Sequence, residues 1–211
     1  MKTGSFSLMN QHVDEAEHSG EMHYPFISKC FIDARELSSS SQKPLPLLQV
    51  LPIMVGAIST SQEVDFGKML APFLARSHIF TVISSDFCHW GKRFQYTPMP
   101  PGKTEGMIPL SNEASSHEQI HEYIERLDRI GMDYISMQQP GAFASYIREY
   151  KNTICGKAPI SVYLNAIEIN KHLGVESLDL GFVKYAQSSQ VRSGHDSSVS
   201  YASAIARKLQ N

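Results

Sequence analysis

Cysteine is scarce in this chain. Only Cys30, Cys88 and Cys155 occur, widely spaced and with no CxxC pair. An odd, scattered set argues against a disulfide framework and against a structural zinc finger, and points to a reducing, intracellular compartment. An excess of one charge is missing too. The 19 Lys and Arg residues nearly balance 21 Asp and Glu residues, leaving a formal net charge of −2. Nothing global draws the chain to nucleic acid or to an acidic membrane surface. No apolar run approaches the roughly 18 residues of a spanning helix. The N-terminal stretch MKTGSFSLMNQHVDEAEHSGEMH lacks the apolar centre of a signal peptide. The motifs GxGxxG, GxxxxGK[ST] and GxSxG do not occur, so phosphate-cradling loops and α/β-hydrolase chemistry have no support.

What is present reads as one α/β domain over residues 1–211, ordinary in composition at 42% hydrophobic and 19% charged residues. Residues 24–34 suit a short helix. Residues 45–58 and 78–85 are near-continuous apolar runs, the pattern of strands buried on both faces. Between them, residues 59–76 have a helical pattern, with Thr60 and Glu63 spaced as a capping box. Strand, helix and strand in that order predict a right-handed crossover with parallel strands. A long loop is expected over 90–112, then helices over 115–132 (capped by Ser115 with Glu118), 140–152 and 159–174. Two alternating strands, 177–189 and 197–206, finish the chain.

Three stretches could carry chemistry. In SSDFCHWGKRFQY, Asp86 and His89 follow the expected second strand, where open α/β sheets build their sites. His89 would serve as general base or metal ligand and Asp86 would orient it. The alternative is a satisfied polar turn. In EHSGEMH, His18 and Glu21 are spaced i and i+3, so a helix would place them on one face. The alternative is a solvated acidic stretch. In NTICGKAP, Cys155 sits in a turn just before a helix start, where backbone N–H groups favour thiolate, the nucleophilic and metal-binding form. The alternative is a small buried hydrophobe. Cys88 and Cys30 lie in apolar surroundings, so Cys155 is expected to be the most reactive thiol.

The blocks EHSGEMHYPF, LPIMVGAIS, SSDFCHWGKRFQY, YKNTICGKAPI, LNAI and YAQSSQVRSGHDSSVSYA, in this order, resemble the Memo family, the mediators of cell motility driven by receptor tyrosine kinases. The resemblance runs from Lys2 nearly to the C-terminus. It implies a fold like that of class III, LigB-type extradiol dioxygenases: α/β, with a central, mostly parallel sheet flanked by helices. It also implies a pocket in which Cys155 is a metal ligand, His89 occupies the place of a general base, and Asp86 lies beside it. His18 and Glu21 match a motif shared with bacterial relatives and are carried as cofactor-binding candidates. Lys2 aligns well inside the family's sequence. The family's first strands and two N-terminal histidine ligands are therefore expected to be lacking here.

These expectations rank three functions. The first is an intracellular protein of motility and cytoskeletal signalling, binding iron or copper and linked to redox chemistry. The second is a non-haem-iron, dioxygenase-like oxidoreductase. The third is a non-catalytic adaptor holding a phosphopeptide or signalling protein, for which only Arg93 stands beside the site. The expected location is the cytoplasm, with the nucleus as a second compartment. Weak metal binding and self-association are expected of the chain by itself.

Overall fold

In the computed structural model of the protein, residues 5–37, 47–100, 118–175 and 177–209 are described. The chain divides into two compact units, Met1–Met54 and Val55–Asn211. The first holds two helices, α1 (Gln11–Glu15) and α2 (Ser19–Leu37). Asn10 caps α1 by accepting the His12 N–H at 2.9 Å. Glu17 does the same for α2, with its carboxylate accepting the Ser19 and Gly20 N–H groups at 2.7 and 2.8 Å. The helix expected at 24–34 is therefore present and begins earlier, because Glu17 satisfies the orphan amides of a turn that sequence periodicity does not mark.

The second unit is built from α3 (Thr60–Leu74), β1 (His89–Trp90), α4 (Ile120–Ser136), α5 (Pro140–Tyr150), α6 (Lys157–His172), β2 (Leu178–Gln187) and β3 (Ser198–Lys208). All four helices fall where the periodicity placed them. The capping box of α3 is shifted by one residue, to Ser59 and Gln62. For α4 the expected Ser115 cap lies outside the described residues; the Glu122 carboxylate accepts the Gln119 N–H at 2.9 Å. Helix α6 starts two residues ahead of Pro159 and ends at His172, with Gly174 just past its cap at φ +65°.

Helices α3 and α6 lie close together. A Cβ added at Gly67 would sit 2.6 Å from the Asn165 Cβ, so only glycine permits this approach. The main core is formed by Phe87, Tyr123, Leu127, Phe143, Tyr146, Ile154, Leu164 and Ile167 with Leu180 of β2. A second cluster gathers Cys88, Trp90, Ile120, Ile124 and Val191.

The sheet corrects the expected one. It has three strands in the order β1–β3–β2, and both pairings are antiparallel. β2 and β3 form a long hairpin with a bulge at Val183 between Phe182 and Lys184. Residues 47–58 and 78–85 form no strand among the described residues, so the expected parallel crossover is not there. The physical reason is that an apolar run states a preference for burial, whereas a strand exists only where another backbone completes its ladder. Here Leu47, Leu51 and Phe80 stay exposed.

Candidate functional site

Two segments lie side by side to make the site. Residues 84–90 run into β1. Phe87 N–H donates to Ser200 O at 2.8 Å, and Ser200 N–H donates to Cys88 O at 2.9 Å, fastening the segment to β3. Phe87, Cys88 and Trp90 are buried, while Asp86 and His89 stay part-exposed. The second segment, residues 151–156, links α5 to α6. Lys151 ends α5 in the left-handed conformation, φ 51°, which turns the chain sharply toward residues 84–90.

The contacts between the segments are polar and direct. His89 N–H donates to Thr153 Oγ1 at 2.7 Å, and Thr153 Oγ1–H donates to His89 O at 3.1 Å. Asp86 N–H donates to Cys155 Sγ at 3.0 Å. Gly156 N–H donates to Ser85 Oγ at 2.9 Å. A Cβ at Gly156 would meet the Ser85 Cβ at 2.5 Å, so glycine is what lets the start of α6 approach this closely.

The His89 ring is oriented from both sides. Its Nδ1 lies 3.1 Å from Phe87 O and 3.0 Å from Thr153 O. Two carbonyls accept and cannot donate, so Nδ1 carries a proton and Nε2 is the nitrogen left for proton exchange. Nε2 faces Asp86 Oδ2 at 3.6 Å. The ring meets Phe94 edge to face, centroids 5.2 Å apart, and the Arg93 guanidinium lies 4.4 Å from the Phe94 centroid.

Three of the five candidates are thus brought together. Asp86 touches both others, Cys155 through its backbone N–H and His89 through its carboxylate. Cys155 is exposed, not a buried hydrophobe. The other two lie in the first unit as an exposed pair, His18 just before α2 and Glu21 in its first turn, with Nδ1 3.7 Å from Oε2. The expected burial of Cys88 holds, and that of Cys30 does not: Cys30 is exposed on α2. The apolar neighbours of Cys30 in sequence belong to a helix with no buried residue. Burial pushes the Cys88 thiol well up, with the charge of Asp128 adding to it.

The residue missed by motif reading is Asp128. It is fully buried on the inner face of α4, among Ile124, Leu127, Gly131 and Met132. A carboxylate on the apolar stripe of a helix is itself a signal, because such a group stays buried only when it is hydrogen-bonded. Asp128 Oδ1 accepts from Asn152 Nδ2 at 2.8 Å and from Cys88 N–H at 3.3 Å; Oδ2 accepts from Tyr185 OH at 2.9 Å. Burial raises the carboxyl from its ordinary 3.8 to about 6, and the hydrogen bonds from Asn152, Ser200, Tyr185 and Cys88 limit the rise. The same burial, with the nearby Asp128 charge, pushes the Tyr146 and Tyr185 hydroxyls upward.

With this geometry in view, comparison with known proteins identifies the lineage. Residues 1–205 match the Memo-like protein family. The chain belongs to that family. It is 40% identical over 201 residues to Protein MEMO1 of Homo sapiens and 41% identical over 201 residues to that of Rattus norvegicus; each alignment covers 95% of this chain and 59% of the relative. Protein memo-1 homolog of Caenorhabditis elegans is 36% identical over 203 residues, 96% of this chain and 51% of the relative. The chain thus spans between half and three-fifths of the length of these Memo relatives.

The family resemblance implies iron or copper at this site. Among the described residues no group of three or more His, Cys, Asp or Glu side chains is placed to hold a metal ion. Cys155 Sγ and His89 Nε2 are the soft and imidazole donors available, and tight binding of such ions takes more. As they stand, these residues do not fit a closed metal centre. No helix among the described residues is long and apolar enough to cross a membrane.

Proposed function

We propose that this Memo-family chain carries a thiol site in which Cys155 is the reacting group, His89 Nε2 is the proton acceptor, and Asp86 holds the two in register. The observation that carries the reading is the double contact of Asp86: N–H on the sulfur at 3.0 Å, carboxylate facing the imidazole at 3.6 Å. A histidine whose other nitrogen is tied to carbonyls is set up for proton transfer or ligation at the free one. The cellular role proposed with it is redox-linked signalling in cell motility and the cytoskeleton, in the cytoplasm. A phosphopeptide or signalling protein at this face would meet Arg93 beside Phe94. Iron or copper, if part of that role, would call on donors beyond the two identified.

The test is alkylation with iodoacetamide at neutral pH, read by mass spectrometry. Cys155 and Cys30 are expected to label in the native chain and Cys88 to resist. In His89→Ala the Cys155 rate is expected to fall roughly tenfold, a barrier change of about 1.4 kcal/mol, with Cys30 unchanged as internal reference. An unaltered Cys155 rate in that variant would refute the site.

Self-association belongs to the same proposal. Leu51, at 72% exposure, and Phe80, at 88%, stand in apolar runs without a ladder partner among the described residues. Exposed apolar runs of this kind recruit other chains. Light scattering of residues 1–211 is expected to show mass rising with concentration, and Phe80→Asp with Leu51→Asp to suppress it. A monomer whose mass is independent of concentration would count against this.

A further inference from the structure

The polar pair at the surface stands on a buried one. Cys88 is next to His89 and two residues from Asp86; Asn152 is next to Thr153 and three residues from Cys155. Both Cys88 N–H and Asn152 Nδ2 end on the same oxygen, Asp128 Oδ1. The other oxygen holds Tyr185 of β2, whose hydroxyl also lies 3.2 Å from Ser200 Oγ of β3. Asn152 is held through its Nδ2 alone. That group also donates to Tyr146 OH at 2.7 Å, while its buried Oδ1 has no partner among the described residues.

We propose that Asp128 is the positioning residue of the site: by receiving Cys88 N–H and Asn152 Nδ2 on one oxygen, it sets the spacing between the Asp86–His89 segment and the Cys155 segment. This rests on the thiol-site reading above. Asp128 touches none of the reacting atoms and acts through the backbone of 86–89 and 152–155. A carboxylate suits the task. One oxygen can accept two donors from different elements, and the groups facing it (Cys88, Asn152, Tyr146, Tyr185 and Ser200) include no cation that would draw it elsewhere. Thr153 adds a tie on His89 itself, and the Asp86–Cys155 and Ser85–Gly156 contacts join the same segments at the surface end.

The test compares Asp128→Ala, Asp128→Asn and Met132→Ala, all well below their melting temperatures. Met132 is a buried core residue of α4 that makes none of the polar contacts described for the site, and serves as a control for lost stability. Two readouts are taken: the Cys155 to Cys30 alkylation ratio, and the amide NMR shifts of Asp86, Cys88 and Thr153. In Asp128→Ala the ratio is expected to fall roughly tenfold and the three amide shifts to move, whereas Asp128→Asn, whose carbonyl can still accept both donors, stays within about twofold of the native ratio. Met132→Ala is expected to lower the melting temperature and leave both readouts in place. Native amide shifts in Asp128→Ala, or equal movement in Met132→Ala, would overturn the proposal. If His89→Ala leaves Cys155 unaffected, the thiol-site reading fails, and the amide shifts alone still decide whether Asp128 spaces the segments.

Discussion

Replacing Trp90 by alanine is expected to cost about 3–5 kcal/mol of folding stability, the range for a large buried aromatic. Trp90 is fully buried and forms the centre of the cluster with Cys88, Ile120, Ile124 and Val191, with Tyr96 and Met99 packed against it. Its indole N–H donates to Pro98 O at 2.8 Å. Alanine would leave a cavity and an orphaned carbonyl together. The residue also pairs with Ser198 in the two-residue strand β1, directly after His89. Loss of the ring therefore frees the segment that presents the imidazole as well as weakening the fold. Measured against a typical domain stability of about 5–15 kcal/mol, the loss is a large fraction of the total. Urea unfolding of the native chain and of Trp90→Ala measures it. A difference below about 1 kcal/mol would mean that the cluster closes around the gap.

A second large effect is expected in the pH dependence of stability, through Asp128. Its carboxyl rises from 3.8 to about 6 in the folded protein. An acid whose folded value is raised binds more protons when folded than when unfolded between those two values. Stability from this group is therefore fully present below about pH 4 and is lost as pH rises through about 6. The full swing corresponds to about 3 kcal/mol. The facing thiol and hydroxyls of Cys88, Tyr146 and Tyr185 are themselves pushed upward, so they stay neutral across this window. Other carboxylates contribute as well, Glu63 shifted upward by burial and Glu17 downward by its hydrogen bond from Ser19. The informative quantity is thus the difference between the native chain and Asp128→Asn, which cannot ionise. That difference is expected to move against the native chain between about pH 4 and about pH 6 and to level off above. A flat difference across the window would show that the carboxyl titrates as it does in the unfolded chain.

The helices were legible because their information is local. Ile120, Ile124 and Leu127 repeat at helical spacing, Pro140 stands at the first turn of α5, and Gly174 stands just past the cap of α6 in a left-handed conformation. The last two strands were legible because alternation is also local, and the hairpin between them brings each its partner. The family was legible too, since long blocks such as SSDFCHWGKRFQY keep their order along the chain. The strands expected at 45–58 and 78–85 were a different matter. Their apolar character is a property of the residues, but pairing is a property of two backbones, and no partner ladder stands beside them among the described residues.

For the site, the sequence by itself determined which side chains are chemically capable: an imidazole, a carboxylate and a thiol at positions 89, 86 and 155. Only the tertiary structure decided that Asp86 joins the other two, and that Glu21 stands in the first turn of a helix of the other unit with His18 just before it. It also decided which nitrogen of His89 is free, because the two carbonyls that claim Nδ1 come from residues 87 and 153, which are far apart in sequence. Asp128 makes the same point from the other direction. Its place on an apolar helical stripe marks it as buried, but what it holds lies 40 residues back at Cys88, 24 ahead at Asn152 and 57 ahead at Tyr185. Contacts over such separations carry no periodic signature, since they are chosen by packing and not by the spacing of residues along the chain.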